Sequence, residues 1–463
     1  MSLGRQDAIG PILGCRHPVV LAGMGGVARS ELVAAVTAAG GFGFLGMVRE
    51  PVALIRAEVA AVRRLGHERF GVNIIPAATD AALLERQVGT IIELGVPVVS
   101  LFWEIDAAVV RRFRDAGIVV VYQVGSPEEA REAERAGAEI VIAQGCEAGG
   151  HVRGATPLRR LLPGVVEAVR VPVLAAGGLA GGADLVTVRA LGAAGMVLGT
   201  ALIAATESFA HPHHRDRLVA AGPDDTLLTD MFHINWPDGA RVRVLKSAVT
   251  AGERGRPRSG APVVIGEEEG RPIYLFSTDS PLRSMQGDFE AMALYAGTGV
   301  GAVSAVRPAG EIIADIVEEA AALSASGALA APAEFASPVC YAGEMSGAYM
   351  GYLEPGEAAA EVGAVVRMLA AGLQAALARP GDGADRPPLA PAGLRFARHI
   401  LALRPYAGEA EEAGRFGGAV PQALPALILQ KLRSLLPRLP ETDCRRALEA
   451  LARELEADME LAQ

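Results

Sequence analysis

Between residues 18 and 205 the chain repeats one pattern eight times: a short apolar run, a turn bearing glycine or an amide, then a helical stretch. The apolar runs span 18–22, 42–45, 70–74, 97–102, 118–124, 139–143, 171–175 and 196–198. They are almost uninterrupted, as strands buried on both faces are, and such strands belong to parallel sheets covered by helices. The stretches between them carry helix punctuation. Ser30 is expected to cap the first helix, and Ser126-Pro127-Glu128-Glu129 opens the fifth with a cap, a first-turn proline and two acids. Eight such units predict an α/β fold, a closed TIM (β/α)8 barrel. The competitor is an open doubly wound sheet, whose dinucleotide form needs G-x-G-x-x-G, or alanine in the last place, after the first strand. The turn here, Gly23-Met24-Gly25-Gly26-Val27-Ala28, fits only the looser form, and the nearest acid, Glu50, lies past the second strand.

A barrel of this kind carries its chemistry at the C-terminal ends of the strands. That face then holds Gly23, Met24, Asn73, Trp103, Gln123, residues 144–151, Gly177, Gly178, Gly199 and Thr200. The most distinctive loop follows the sixth strand: Gln144-Gly145-Cys146-Glu147-Ala148-Gly149-Gly150-His151, a flexible Gly-rich turn ending in one imidazole. A free imidazole titrates near pH ~6.5 and accepts a proton at neutral pH, which makes His151 the candidate general base. Cys146 has no titratable partner in sequence and reads as packing; Glu147 reads as a residue that orients backbone. The turns after the seventh and eighth strands, Gly177-Gly178 and Gly199-Thr200, fall where barrels hold a phosphate group. The neutral amides Asn73, Gln123 and Gln144 suit hydrogen bonding to a heterocycle, which favours FMN over a sugar phosphate.

The remaining composition excludes several classes. Net charge is −10 with no basic stripe, so neither nucleic acid nor an anionic membrane is an expected partner. Four cysteines lie far apart without a CxxC pair, giving no metal or disulfide framework and pointing to a reducing, cytoplasmic location. No run of 18 apolar residues occurs and the first five residues form no apolar signal core. His211-Pro212-His213-His214 reads as a solvated connection rather than a metal site.

The expected organisation is an FMN-binding barrel over 12–206, a lid or substrate-covering region over 207–300, and helices completing the barrel ring over 301–378. Within the second segment, Trp236 and Met231-Phe232-His233 are assigned to the lid, with His233 a weaker second site candidate. Thr250 to Gly270 reads as a mobile hairpin or lid loop, and 288–294 and 311–323 as helical. A Pro/Gly-rich linker follows over 379–390, then a C-terminal helical extension over 391–463. In the extension Leu424, Ile428, Leu432 and Leu435 share one face, and Leu448, Leu451, Leu455 and Met459 another. Such faces suit packing on the barrel, or a homo-oligomer or protein partner.

The chain resembles the nitronate monooxygenase family, formerly the 2-nitropropane dioxygenases. The residues carrying the resemblance are Ala143 through His151, Gly71-Val72-Asn73, Gln123-Val124-Gly125, Ala175-Ala176-Gly177-Gly178 and Gly199-Thr200. It runs over about residues 12–375, through Ala296-Gly297-Thr298-Gly299-Val300-Gly301 and Ser337-Pro338-Val339-Cys340-Tyr341-Ala342-Gly343. It implies an FMN-dependent barrel, with the cofactor phosphate on Gly178, Gly199 and Thr200 and with Gly149 and Gly150 close by. Asn73, Gln123 and Gln144 would contact the ring or ribityl chain, and His151 would be the catalytic base. The implied reaction is oxidation of alkyl nitronates or nitroalkanes by O2 to a carbonyl compound and nitrite. Gly23-Met24 stands where many members have Pro-Met, and Thr298 where glutamine is frequent. The flavin enoyl-thioester reductases, which use NAD(P)H, share the Glu-Ala-Gly-Gly-His run and form the alternative. A non-flavin lyase or isomerase acting on a phosphate substrate is a second alternative, and a binding or scaffold protein a third.

Overall fold

The computed structural model describes residues 5–237, 239–255 and 262–325. The expected linker and C-terminal extension, and the part of the ring-completing segment beyond residue 325, lie outside the described residues.

Eight strands close into a parallel barrel: β1 (Val19–Leu21), β2 (Phe42–Gly46), β3 (Gly71–Ile74), β4 (Val98–Phe102), β5 (Val119–Val124), β6 (Ile140–Gln144), β8 (Val173–Ala176) and β9 (Gly195–Leu198). The short β7 (Gly150–Val152) lies outside the ring, and β6 pairs directly with β8, Gln144 opposite Ala176. Closure is made by β1 against β9, with Val20 opposite Val197.

The strand period of two divides the apolar residues between two cores. Val20, Phe42, Phe44, Val98, Val121, Ile140, Ile142, Leu174 and Val197 fill the barrel, joined by Ile9 and Leu13 from the segment before β1. Val19, Leu21, Leu45, Val99, Val120 and Val141 face the helices. Those helices are α1 (Ser30–Ala38), α2 (Val52–Arg64), α3 (Ala81–Glu93), α4 (Ala107–Asp115), α5 (Pro127–Ala136), α6 (Leu158–Ala168) and α7 (Gly182–Ala190).

The start of α5 follows the expected chemistry: Ser126 Oγ accepts from Glu129 N at 3.2 Å. The start of α1 does not. Ser30 is already inside the helix, and its N–H is taken by Glu58 Oε2 of α2 at 2.7 Å. A tertiary carboxylate replaces the local cap.

The helix after β9, α8 (Thr200–Ile203), is a single turn. The gap it leaves in the outer ring, between α7 and α1, is occupied by α10 (Ala309–Ala325). Ala309, Ile313 and Ile316 of α10 are buried there, and Glu319 Oε2 accepts from Gly182 N at 2.6 Å.

The segment between α8 and α10 forms two small sheets. One has the order β10 (Thr226–Thr229), β11 (Arg241–Leu245), β7; the other the order β13 (Arg271–Tyr274), β12 (Val264–Glu268), β14 (Met285–Gly287). The stretch 250–270 thus contributes a paired strand rather than only a loop. The expected helix over 288–294 is one 3-10 turn, Phe289–Ala291. The histidine cluster differs more: Pro212–Val219 is a helix, α9, with His214 fully buried. Proline is favoured at a helix's first turn, so Pro212 starts a helix where a solvated connection was expected.

Candidate active site

A cavity of about 550 Å³ opens at the C-terminal ends of the barrel strands, within the ~300–1,000 Å³ typical of ligand pockets. Of the residues placed on this face from sequence, Gly23, Met24, Asn73, Gln123, Gln144, Gly149, Gly150, His151, Gly177, Gly178, Gly199 and Thr200 line it. Gly145 does not. A Cβ there would lie 2.6 Å from Leu158 Cβ, so Gly145 lets α6 approach the loop from below.

The loop from β6 to β7 is pinned rather than free. Gln144 donates through Nε2 to His151 O at 2.8 Å and accepts at Oε1 from Arg153 N at 3.0 Å. Its amide thus sets the path of the loop while the side chain borders the cavity. Cys146 O accepts from the buried Arg243 through Nε at 3.1 Å and Nη2 at 2.7 Å. The Glu147 carboxylate accepts from Leu158 N, the first residue of α6, at 3.1 and 3.0 Å. His151 itself lies in β7, opposite Val242 of β11. The expected turn is present at 145–149, but its end, Gly150–Val152, is a strand held by a sheet that the chain supplies about ninety residues later. Gly149 permits the close approach this needs: a Cβ there would sit 2.5 Å from Gly297 N.

The imidazole of His151 is enclosed by aromatics. Trp236 stacks on it with ring centroids 3.3 Å apart and planes 20° from parallel. Trp103 stands edge-on at 6.4 Å, and Tyr295 lies at 5.8 Å. Burial drives the His151 pKa well below 6.5, and the positive charge of Arg49 pushes it the same way. The ring is therefore neutral at physiological pH, the form in which it accepts protons. Its Nε2 is buried without a hydrogen-bond partner. Other cavity-lining groups share that state: Asn73 Oδ1, Trp236 Nε1, Asp279 Oδ2 and Ser280 Oγ. Buried polar atoms of this kind are uncommon in folded proteins, and their gathering around one cavity marks a site built for a ligand rich in heteroatoms.

The turn after β8 is built on two glycines. Gly177 and Gly178 are consecutive residues with φ of 116° and 71°, a left-handed backbone that side chains rarely adopt, and both line the cavity. Across from them Thr200 Oγ1 accepts from Gly297 N at 2.9 Å, tying the α8 start to the later loop.

Sequence reasoning did not single out Arg49, Asp279, Ser280 or Tyr295, all of which line the cavity. A signal existed for Arg49, which stands three residues past the end of β2 on the face where function was expected. None existed for the other three, which arrive from outside the barrel repeat. His233 bonds to its own loop, Nδ1 to Met231 O at 3.0 Å, and does not line the cavity. Among the described residues no group of three or more His, Cys, Asp or Glu is arranged to hold a metal. Among them, also, no helix is long and apolar enough to cross a membrane.

The sequence profile of the nitronate monooxygenase family matches residues 7–319. The chain belongs to that family. The chain is also 35% identical over 239 residues to the (3aS,4S,5R,7aS)-5-hydroxy-7a-methyl-1-oxo-octahydro-1H-indene-4-carboxyl-CoA dehydrogenase of Mycobacterium tuberculosis. That match covers 51% of this chain and 65% of the relative, so the chain spans just under two thirds of its length. Among solved structures, the nitroalkane oxidase of Streptomyces ansochromogenes superposes with a TM-score of 0.56 at 29% identity, over 69% of this chain and 99% of that one. FabK from Thermotoga maritima superposes at 0.57 with 27% identity, over 69% and 97%. The closed barrel is common ground with these oxidoreductases.

Two histidines, His214 in the core and His151 on the cavity wall, make the fold acid-sensitive in a defined window. Burial pushes His214 down to about 4, and His151 also lies well below 6.5. Unfolded histidine titrates near ~6.5. Below that pH the unfolded chain binds protons that the folded chain refuses, so stability is present above pH ~6.5 and is lost as pH falls toward 4. His214 alone accounts for about 3 kcal/mol over this range. Melting temperature measured from pH 7 to pH 4 should fall, and His214→Gln should flatten the slope. An unchanged slope in that variant refutes the assignment.

Proposed function

We propose that the protein is an FMN-dependent oxidase of nitronates and nitroalkanes in which His151 acts as the general base. The observation that carries this reading is the neutral, enclosed imidazole whose Nε2 lacks a partner, set on the same cavity as the positive-φ glycines Gly177 and Gly178. The residues present fit a flavin mononucleotide. Gly177, Gly178, Gly199 and Thr200 would hold its phosphate, and Asn73, whose Oδ1 is unpaired, with Gln123 and Gln144 would border its ring and ribityl chain. Gly23 and Met24 would flank it from the β1 loop. Electron acceptance and reaction with O2 are chemistry that a bound flavin supplies.

The chain's own residues do the rest. His151 removes the acidic proton beside a nitro group, a step that requires a neutral base within hydrogen-bond reach. Trp236, Trp103 and Tyr295 exclude water around it and limit substrate size. The partners are then a small-molecule substrate and O2. Similarity to a CoA-thioester dehydrogenase and to FabK favours one second reading, reduction or oxidation of a thioester substrate with a nicotinamide co-substrate.

The purified protein should show a flavin absorption band. Anaerobic mixing with a preformed nitronate should bleach it, whereas NADPH should not. Rapid bleaching by NADPH with no response to nitronates overturns the first reading in favour of the second.

A further inference from the structure

We propose that Arg49 is the oxyanion-binding residue of the site: it takes a planar oxyanion, or a nitro group that becomes one, against its guanidinium while His151 holds the proton. This inference deepens the functional reading above and rests on it.

The argument begins with topology. In the ring of eight strands β2 and β6 stand four places apart, so the loops that follow them face each other across the barrel mouth. His151 comes from the β6 side and Arg49 from the β2 side, and both line the cavity. Arg49 has φ of 60°, a left-handed conformation that a side chain adopts only when its surroundings hold it there. Two contacts hold it: Nη1 donates to Asn235 O at 2.6 Å, and Nη2 to Thr278 Oγ1 at 3.3 Å. Both partners belong to the segment over the barrel, where Ile234 pairs with Ser277, so the guanidinium is tied by two bonds to one part of the cavity wall.

Charge pairing then separates Arg49 from its neighbours. Arg271, which also lines the cavity, is matched by Glu268 and Asp279 at 2.8 and 3.0 Å. Arg29 is matched by Glu50 at 3.2 Å. Among the described residues no carboxylate forms an ion pair with Arg49, although its charge acts on the neighbouring Glu50, which is itself paired with Arg29. A positioned cation with no ion-pair partner, on the same cavity as a neutral base, is complementary to a substrate that turns into an anion there. The step balances without another reactant. His151 takes the proton on the α-carbon, the C–H electron pair becomes the C=N bond, and a nitro oxygen takes the negative charge against Arg49. The flat guanidinium matches both oxygens of such a group, which a lysine does not.

The probe is nitrate, a planar oxyanion that cannot react, titrated calorimetrically into the protein as purified. Nitrate should bind saturably to the wild type, and Arg49→Met should weaken it by about 10- to 100-fold, the range for loss of a charge-assisted hydrogen bond. Arg49→Lys should fall between the two. The KM for a preformed nitronate should rise in the same order. If Arg49→Met does not fold, Arg49→Gln serves, since it retains a donor toward Asn235 and Thr278 and should also weaken nitrate. No nitrate binding to the wild type, or equal affinity in the variants, overturns the proposal. Arg49-dependent nitrate binding without any reaction of nitronates would sustain this inference while removing the nitronate reading. Nitronate turnover with nitrate affinity indifferent to Arg49 would do the reverse.

Discussion

His151→Ala is expected to retain flavin and to lose activity on neutral nitroalkanes by about 10²- to 10⁴-fold, the usual contribution of a positioned general base. Activity on preformed nitronates should survive, because their proton is already gone. Steady-state rates on the two substrate forms at one pH make the comparison. The flavin should stay because the phosphate-binding turns proposed above, after β8 and β9, do not include His151. The deep depression of the His151 pKa adds a pH signature: the wild type should show no loss of nitroalkane activity as pH falls through 6.5, where an ordinary histidine would protonate. Full nitroalkane turnover in the alanine variant would remove His151 from the chemistry. Equal losses on both substrates would make it a positioning residue.

The second large effect concerns the proposed phosphate turn. Gly178→Val should strip the flavin while leaving the barrel folded. At φ of 71° a branched side chain is strained, and its Cβ would lie 2.8 Å from Thr298 Oγ1 and 3.0 Å from Glu147 Cβ. The backbone would have to move out of the left-handed conformation of the turn proposed to hold the phosphate. Loss of even one or two such bonds to a phosphate weakens binding by about 100-fold or more. The flavin-to-protein absorbance ratio after gel filtration measures it, with circular dichroism melting as the check on folding. A stoichiometric flavin complex would show that the phosphate lies elsewhere.

The barrel was legible because its signal is local and repeated. Strands such as β5 and β6 are apolar apart from one glutamine near the C-terminal end of each, and α5 carries its own cap, proline and acids. The turn glycines and Asn73 were legible for the same reason, since each follows directly on a strand. What escaped depends on distant partners. Gly150–Val152 has the composition of a turn and becomes a strand only because Arg241–Leu245 pairs with it. The capping of α1 passes from Ser30 to Glu58 because a carboxylate on the next helix reaches the free N–H first. His214 reads as polar and exposed, yet sits fully buried with Nε2 against Tyr295 O at 3.0 Å. Arg49 lies one turn past a legible strand, but its role depends on Asn235 and Thr278, over 180 residues later.

One arrangement around His151 has an optical consequence. The whole chain contains two tryptophans, Trp103 and Trp236, and both lie against that imidazole. All of the protein's indole emission therefore originates at the candidate site, with no background from the rest of the fold. Occupation of the cavity by a chromophore absorbing in the near ultraviolet would drain that emission by energy transfer. Movement of the segment bearing Trp236 would change its wavelength. The chain carries its own reporter, and a fluorimeter reads the state of the site without a label.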